Sequence, residues 1–360
     1  MVIVSVLVIF IYALLIINFL RGWIALPEFE ASGMANEPRV TIITACKNEI
    51  KNLPYLFQAV NEQSFRNFEL VLVDDGSTDG SYEYAGHVAA GFPEMKLLRN
   101  KGIGKKEAIK TAVMQSDSEL IVTLDADCLP SVDWLNEIVQ FYSENLCDLI
   151  ICPVKMDTDG SFFQEFQQFE FASLIASGAG AAAIGMPVLC NGANLAFRRE
   201  AWLESMDELH FEEPGGDDVF LLQSIKKRKG IIRFLKSVNA TVTTHSAVNL
   251  KSFIHQRRRW ASKKSAYTDW QLALTAAVVF LASFIVLLDF VLAIVQPNLI
   301  ALVLNIFLLK LLIDVSFFYK ISDFFGLKKV LQNTFVFSLI YPFYIVFTAI
   351  LSLVGSKKNW

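Results

Sequence analysis

Phe68-Glu69-Leu70-Val71-Leu72-Val73-Asp74-Asp75-Gly76-Ser77-Thr78-Asp79 is the stretch that decides the fold. An apolar, β-branched run that stops abruptly in aspartates, a glycine and two hydroxyl residues reads as a buried strand emptying into a loop. The pattern recurs on both sides. Residues 39–45 (RVTIITA) form another such run behind Pro38, and residues 119–124 (ELIVTL) lead straight into Asp125-Ala126-Asp127. A fourth strand is expected at 148–154 and a short one at 95–98, with helical patterns between them at 52–63, 81–90, 105–115 and 132–142. Alternating strands and helices predict an α/β domain with a mostly parallel, Rossmann-like sheet and right-handed crossovers. Ligands of such sheets bind at the carboxyl ends of the strands, where both acidic clusters fall.

Outside this region the texture changes. The chain is 54% hydrophobic yet 19% charged, and its net charge of −4 gives no global basicity to suggest nucleic acid. Residues 1–20 carry no charged side chain before Arg21 and Trp23, and about 20 apolar residues suffice to cross a bilayer. No basic leader or small-residue cleavage site marks a signal peptide, so residues 1–24 are expected to be a retained transmembrane helix. Its C-terminal end is expected to face the cytoplasm. Three further spans are expected at 272–295, 299–319 and 330–354, within a membrane region of residues 269–356. Asp289, Lys310 and Asp314 fall inside these spans, and Lys310 and Asp314, four apart on one helix, are spaced to pair.

Two segments connect the regimes. Residues 162–171 interleave phenylalanines with Gln and Glu, which reads as an amphipathic helix in the membrane interface. The Ala- and Gly-rich continuation to 183 is not expected to span, because Gly178, Gly180 and Gly185 weaken a helix. Residues 248–268 hold the basic run around Gln256-Arg257-Arg258-Arg259-Trp260. Alone, this run is a cytoplasmic anchor for acidic lipid heads, with Lys251, Lys263 and Lys264 facing phosphates. Lys357 and Lys358 then fall on the outer side, against the charge bias. The five cysteines show neither a C-x-x-C pair nor a zinc pattern, as expected of reduced thiols in a cytosolic domain.

Taken together, the ordered motifs resemble a membrane-bound family 2 glycosyltransferase of GT-A fold. The match runs over residues 38–260 and points to the branch with cellulose, hyaluronan and poly-N-acetylglucosamine synthases and ceramide glucosyltransferase. The resemblance implies a catalytic domain at 37–247 and a set of roles. Lys47 and Glu49, in Lys47-Asn48-Glu49, stand in the loop beside the nucleotide base, although Thr44-Ala45-Cys46 replaces the usual proline-led start. Asp75, in the D-D-x-S-x-D motif, accepts hydrogen bonds from the base or ribose. Lys105, behind Gly102-Ile103-Gly104, lies near the phosphates. Asp125 and Asp127 form the D-x-D motif, with Asp127 the more direct ligand of Mg²⁺ or Mn²⁺. Asn191 and Gly192 belong to the acceptor-side segment. Asp217-Asp218 replaces Glu-Asp, making Asp218 the base and Asp217 a like-charged neighbour. Gln256, Arg259 and Trp260 match Q-x-x-R-W at every specified position: Arg259 holds diphosphate, Trp260 floors the acceptor site and Gln256 orients it. His245 is expected to be a core histidine.

The resemblance thus implies an inverting, metal-dependent hexosyl- or N-acetylhexosaminyltransferase in the cell inner or plasma membrane, its catalytic domain cytoplasmic. The donor is a nucleotide-diphosphate sugar, UDP-linked by expectation, and the acceptor a lipid or lipid-linked hydroxyl. A small processive polysaccharide synthase of the cell envelope is the alternative. A non-catalytic nucleotide-sugar-binding membrane protein is disfavoured by the intact Asp127, Asp218 and Arg259, and a transporter leaves the α/β half unexplained.

Overall fold

The computed structural model describes residues 2–35, 37–213, 215–261 and 269–354. Lys263, Lys264, Lys357 and Lys358 lie outside them. In chain order the elements are α1 (Val2–Ala25), β1 (Val40–Cys46), α2 (Leu53–Asn61), β2 (Phe68–Asp74), α3 (Ser81–Ala89), β3 (Met95–Arg99), α4 (Lys105–Gln115), β4 (Leu120–Leu124), α5 (Trp134–Asn145), β5 (Leu149–Ile151), β6 (Val154–Met156) and α6 (Phe162–Ala183). There follow β7 (Asn194–Arg198), α7 (Arg199–Ser205), α8 (Asp217–Lys227), β8 (Ile232–Phe234), β9 (Val242–Thr244), α9 (Leu250–Ala261), α10 (Trp270–Val295), α11 (Ile300–Ser322) and α12 (Thr334–Val354). They fall into two units: Leu26–Lys155 with Leu189–His245, and α1 with α6 and the chain from Ser246 onward.

The first unit is built on a seven-stranded sheet of order β3-β2-β1-β4-β7-β5-β8. Strands β1 and β2 are buried almost throughout, as continuous apolar strands must be when a parallel sheet is covered on both faces. Strand β1 pairs parallel with β2 on one side and with β4 on the other. The chain therefore winds outward through β2 and β3, returns, and continues past β1 in the opposite direction. That reversal makes the crevice at the carboxyl ends of β1 and β4 the topological switch point. Strand β7 runs antiparallel to both β4 and β5. The strand expected at 148–154 breaks in two because Pro153 has no N–H to give the ladder. Its carbonyl instead accepts from Val242 N and from Asn194 Nδ2, and β6 leaves to pair with β9.

In the second unit, among the described residues, four helices are long and apolar enough to cross a membrane, Ile3–Ala25, Trp270–Val295, Pro297–Ser322 and Lys328–Leu351, the last two each including a short 3-10 turn. Helix α6 runs unbroken over Phe162–Ala183, so its glycines do not end it. Its aromatic residues pack on other helices: Phe166, Phe169 and Phe171 are buried, with Phe166 and Phe169 against Phe337 of α12 and Phe169 also against Phe318 of α11. The glycines serve contact instead. A methyl at Gly180 would overlap the Phe19 carbonyl of α1, and one at Gly22 would overlap the Gly180 carbonyl. Lys310 and Asp314 do pair, at 2.5 Å, and Tyr12 of α1 donates to the same carboxylate at 2.6 Å.

Candidate active site

The loops at the switch point are tied together by their own turn chemistry. Asn48 adopts φ 60°, a left-handed conformation that asparagine tolerates, and its carboxamide oxygen accepts from Thr78 N at 2.8 Å. Ser77 Oγ accepts in return from Asn48 N at 2.9 Å. The Lys47-Asn48-Glu49 loop after β1 is thereby pinned to the Asp-Gly-Ser-Thr turn after β2. The Asp74 carboxylate closes that turn by accepting from Gly76 N and Ser77 N. Asp75 accepts from Lys47 Nζ at 3.1 Å, from Asn100 Nδ2 at 2.6 Å and from Gly104 N at 2.9 Å. Asn100, at the end of β3, carries no motif and was not legible in the sequence. Since Gly104 N is committed to Asp75, the glycine turn before α4 acts here as a brace for the acidic loop.

Lys105 opens α4 and is the hub of the unit. Its Nζ lies 2.5 Å from Asp125 Oδ1, 3.9 Å from Asp217 Oδ2 and 3.4 Å from the Gly192 carbonyl. Burial alone would lower the Lys105 pKa, but the attraction of Asp125 and Asp217 prevails and holds it above the ordinary lysine value. Gly192 N donates to Asp218 Oδ2 at 3.0 Å, and Asp218 Oδ1 accepts from Val219 N at 2.8 Å. Asp217 and Asp218 occupy the first turn of α8, entered through Gly215 and Gly216 at φ 70° and 79°. The Asn191–Gly192 turn in turn lies against the end of β4, where Asp125 N donates to the Ala193 carbonyl at 3.4 Å. Behind it, Asn194 is fully buried and takes the Trp134 indole N–H at 3.0 Å. One short network thus brings together Lys105, Asp125, Asn191, Gly192, Asp217 and Asp218.

This network holds more acid than one lysine offsets. Burial pushes the Asp125 carboxyl up; Lys105 opposes this, while Asp127 and Asp217 add to it. Burial likewise raises Glu49, a hydrogen bond from Asn52 opposes, and Asp127 and Asp125 push it further. Glu49, Asp125 and Asp127 therefore share one field across the switch point. Asp127 is also approached by Thr244 Oγ1 at 3.4 Å. Among the described residues no three His, Cys, Asp or Glu side chains are grouped as a metal site of their own. An excess of hard oxygen donors short of three ligands does suit a cation that takes the rest of its shell from phosphate oxygens. Burial and Asp74 push the Cys46 thiol, at the end of β1, up to about 12, which keeps it protonated. His245 is exposed and not part of the core, which corrects the sequence reading.

In the helical unit, Gln256, Arg259 and Trp260 lie on α9. Gln256 and Trp260 are half-buried and Arg258 and Arg259 exposed, while Arg257 is buried. The Trp260 ring is covered by the Arg257 guanidinium at 4.2 Å and packs beside Phe171 at 5.9 Å.

A seven-stranded, mostly parallel sheet with acidic loops at its switch point is a Rossmann-like α/β fold with its candidate site at the carboxyl ends of the strands. Residues 41–205 match the model of Glycosyl transferase family 2. The chain is 30% identical over 116 residues to Glycosyltransferase AglE of Haloferax volcanii, covering 31% of this chain and 38% of that protein. It is 37% identical over 138 residues to an undecaprenyl-phosphate 4-deoxy-4-formamido-L-arabinose transferase of Yersinia pestis, covering 36% of this chain and 41% of that one. The chain thus spans well under half the length of these curated relatives. The mannosyltransferase PcManGT of Pyrobaculum calidifontis, solved with GDP-Man and Mn²⁺, superposes with a TM-score of 0.53 at 19% identity, over 94% of this chain and 97% of that one. The fold is GT-A.

Proposed function

We propose that the protein transfers a sugar, with inversion, from a nucleotide-diphosphate donor to a lipid or lipid-linked acceptor at the membrane. The observation that carries this is the Lys105 network, where Asp125 of the switch point and Asp217 of α8 meet on one ammonium group and the neighbouring Asp218 accepts from Gly192 N. The lipid acceptor is supported by four helices able to cross a bilayer and by relatives named as undecaprenyl-phosphate transferases. In this reading residues 37–247 form the transferase domain, on the cytoplasmic side.

Lys47, Glu49 and Asp75 bind the nucleoside, whose N–H and O–H donors suit carboxylates. Asp127 with Asp125 would hold Mg²⁺ or Mn²⁺, whose charge offsets the diphosphate. Lys105 and Arg259 supply further positive charge to phosphate oxygens, Arg259 through its planar fork. An acceptor oxygen bonds to the anomeric carbon from the face opposite the leaving group, and the bond from that carbon to the diphosphate oxygen breaks with its electron pair. An acceptor hydroxyl passes its proton to Asp218. An α-linked donor therefore yields a β-linked product, and the nucleoside diphosphate leaves. Asn191, Gly192, Gln256 and Trp260 are assigned to the acceptor side.

The test is turnover by the purified full chain in detergent, with UDP- and GDP-linked sugars, Mg²⁺ or Mn²⁺, and undecaprenyl phosphate or a glycolipid as acceptor. A β-linked glycolipid is expected. Long polymer made without any lipid acceptor would overturn the acceptor assignment in favour of a polysaccharide synthase.

A further inference from the structure

We propose that Arg257, held by Glu170 and Tyr344, is the positioning residue of the Gln256–Trp260 motif: it sets the Gln256 carboxamide and the Trp260 indole. The inference rests on the acceptor-side reading of that motif given above. Phe253, Arg257 and Trp260 recur at helical spacing and share one face of α9. Although cationic, Arg257 is only 4% exposed. Each of its guanidinium nitrogens has its own partner. Nη2 donates to Glu170 Oε2 at 2.5 Å, Nε to Tyr344 Oη at 2.9 Å, and Nη1 to Gln256 Oε1 at 3.0 Å. Tyr344 Oη closes the triangle by donating to Glu170 Oε1 at 2.9 Å. The guanidinium also stacks over Trp260 at 4.2 Å and over Phe253 at 4.6 Å.

A buried ion pair gains little net stability over apolar residues of the same volume. What this one supplies is geometry. The planar fork reads α6 through Glu170, α12 through Tyr344 and its own helix through Gln256, and it lays a flat cation on the indole. A lysine at 257 would keep the charge but give up the fork and the stacking plane.

The experiment uses the full chain in detergent with Arg257→Lys, Glu170→Gln and Tyr344→Phe. Trp260 emission is read as the difference between each protein and the same protein carrying Trp260→Phe. Michaelis constants are measured separately for the nucleotide sugar and for undecaprenyl phosphate. Arg257→Lys and Glu170→Gln are expected to shift Trp260 emission and raise the acceptor KM by about 10- to 100-fold, with the donor KM within about twofold. Tyr344→Phe should shift the emission less. Unchanged Trp260 emission in Arg257→Lys, or donor and acceptor KM rising together, would overturn the proposal. If Arg257→Lys does not fold, Tyr344→Phe decides on the same emission readout. A wild-type protein that turns over no nucleotide sugar would remove the transferase reading, while the resting emission would still decide whether Arg257 sets the motif.

Discussion

Gly192 shows how tightly the carboxylates and the lysine are drawn together. A Cβ there would lie 3.0 Å from Asp217 Oδ2, 3.4 Å from Asp218 Cβ and 3.4 Å from Lys105 Nζ. Gly192→Ala is expected to lower turnover by about tenfold or more through displacement of those groups, with the thermal midpoint nearly unchanged. Equal kcat in the two proteins would show that the network tolerates the shift. Asp218 carries a sharper expectation, because its role depends on the acceptor. Asp218→Asn should cost about 10²- to 10⁴-fold in turnover with a hydroxyl acceptor, the usual range for a lost general base. A phosphate acceptor, already ionised at neutral pH, should lose much less. Unchanged transfer to a hydroxyl acceptor would remove Asp218 as the base. Glu49 sets a pH dependence. Its burial, with Asp127 and Asp125 nearby, makes the folded chain hold the proton more tightly than the unfolded one. The resulting contribution to stability is complete below the ordinary glutamate value of about 4.3 and is lost as pH rises through the raised folded value. In chelator, Glu49→Gln should therefore raise the thermal midpoint at pH 7.5 and give no gain at pH 4; an equal effect at both would mean that the carboxyl is not perturbed.

Helix α6 is the element whose sequence says least about its place. Its glycines lower helix propensity, but propensity is a weak prior that packing overrides. Here Gly22 and Gly180 meet with no room for a methyl on either side, the small-residue contact that lets two apolar helices approach backbone to backbone. Gly180→Ala should destabilise the detergent-solubilised protein by about 1 to 3 kcal/mol, the range for overpacking, since the obstacle is backbone and cannot rotate away. Unfolding at the wild-type temperature would show that the helices separate freely. The same contrast explains what was legible elsewhere. Strands β1, β2 and β4 announce themselves as apolar runs bounded by Pro38 and by aspartates, and α4 begins and ends where its pattern does. The antiparallel β7 was not legible as such, since a short strand within Asn194–Arg198 encodes no direction. Asn100, Glu170 and Tyr344 carry no local signal either, because their partners lie 25, 87 and 87 residues away.

At the scale of the whole chain, the sequence separates an apolar start, an α/β middle and an apolar end, yet the compact units do not follow that division. Helix α6 lies inside the α/β segment of the sequence and belongs to the unit of the four helices apolar enough to cross a membrane. Phe166 and Phe169 are buried against residues of α11 and α12, Phe171 beside Trp260 of α9, and Gly180 against α1. A chain cut to residues 26–245, the natural choice for a soluble transferase domain, would keep α6 and lose every one of those partners. Buried aromatic side chains each bring roughly 1.5 to 3 kcal/mol of transfer free energy, and a contiguous patch of them in water drives association. The cut chain is therefore expected to need detergent or to sediment as aggregate, whereas the full chain in detergent remains dispersed. The check is sedimentation velocity without detergent at increasing protein concentration. A folded monomer of residues 26–245 would mean that α6 can be covered from within the α/β unit, and the assignment of this helix to the membrane unit would fall.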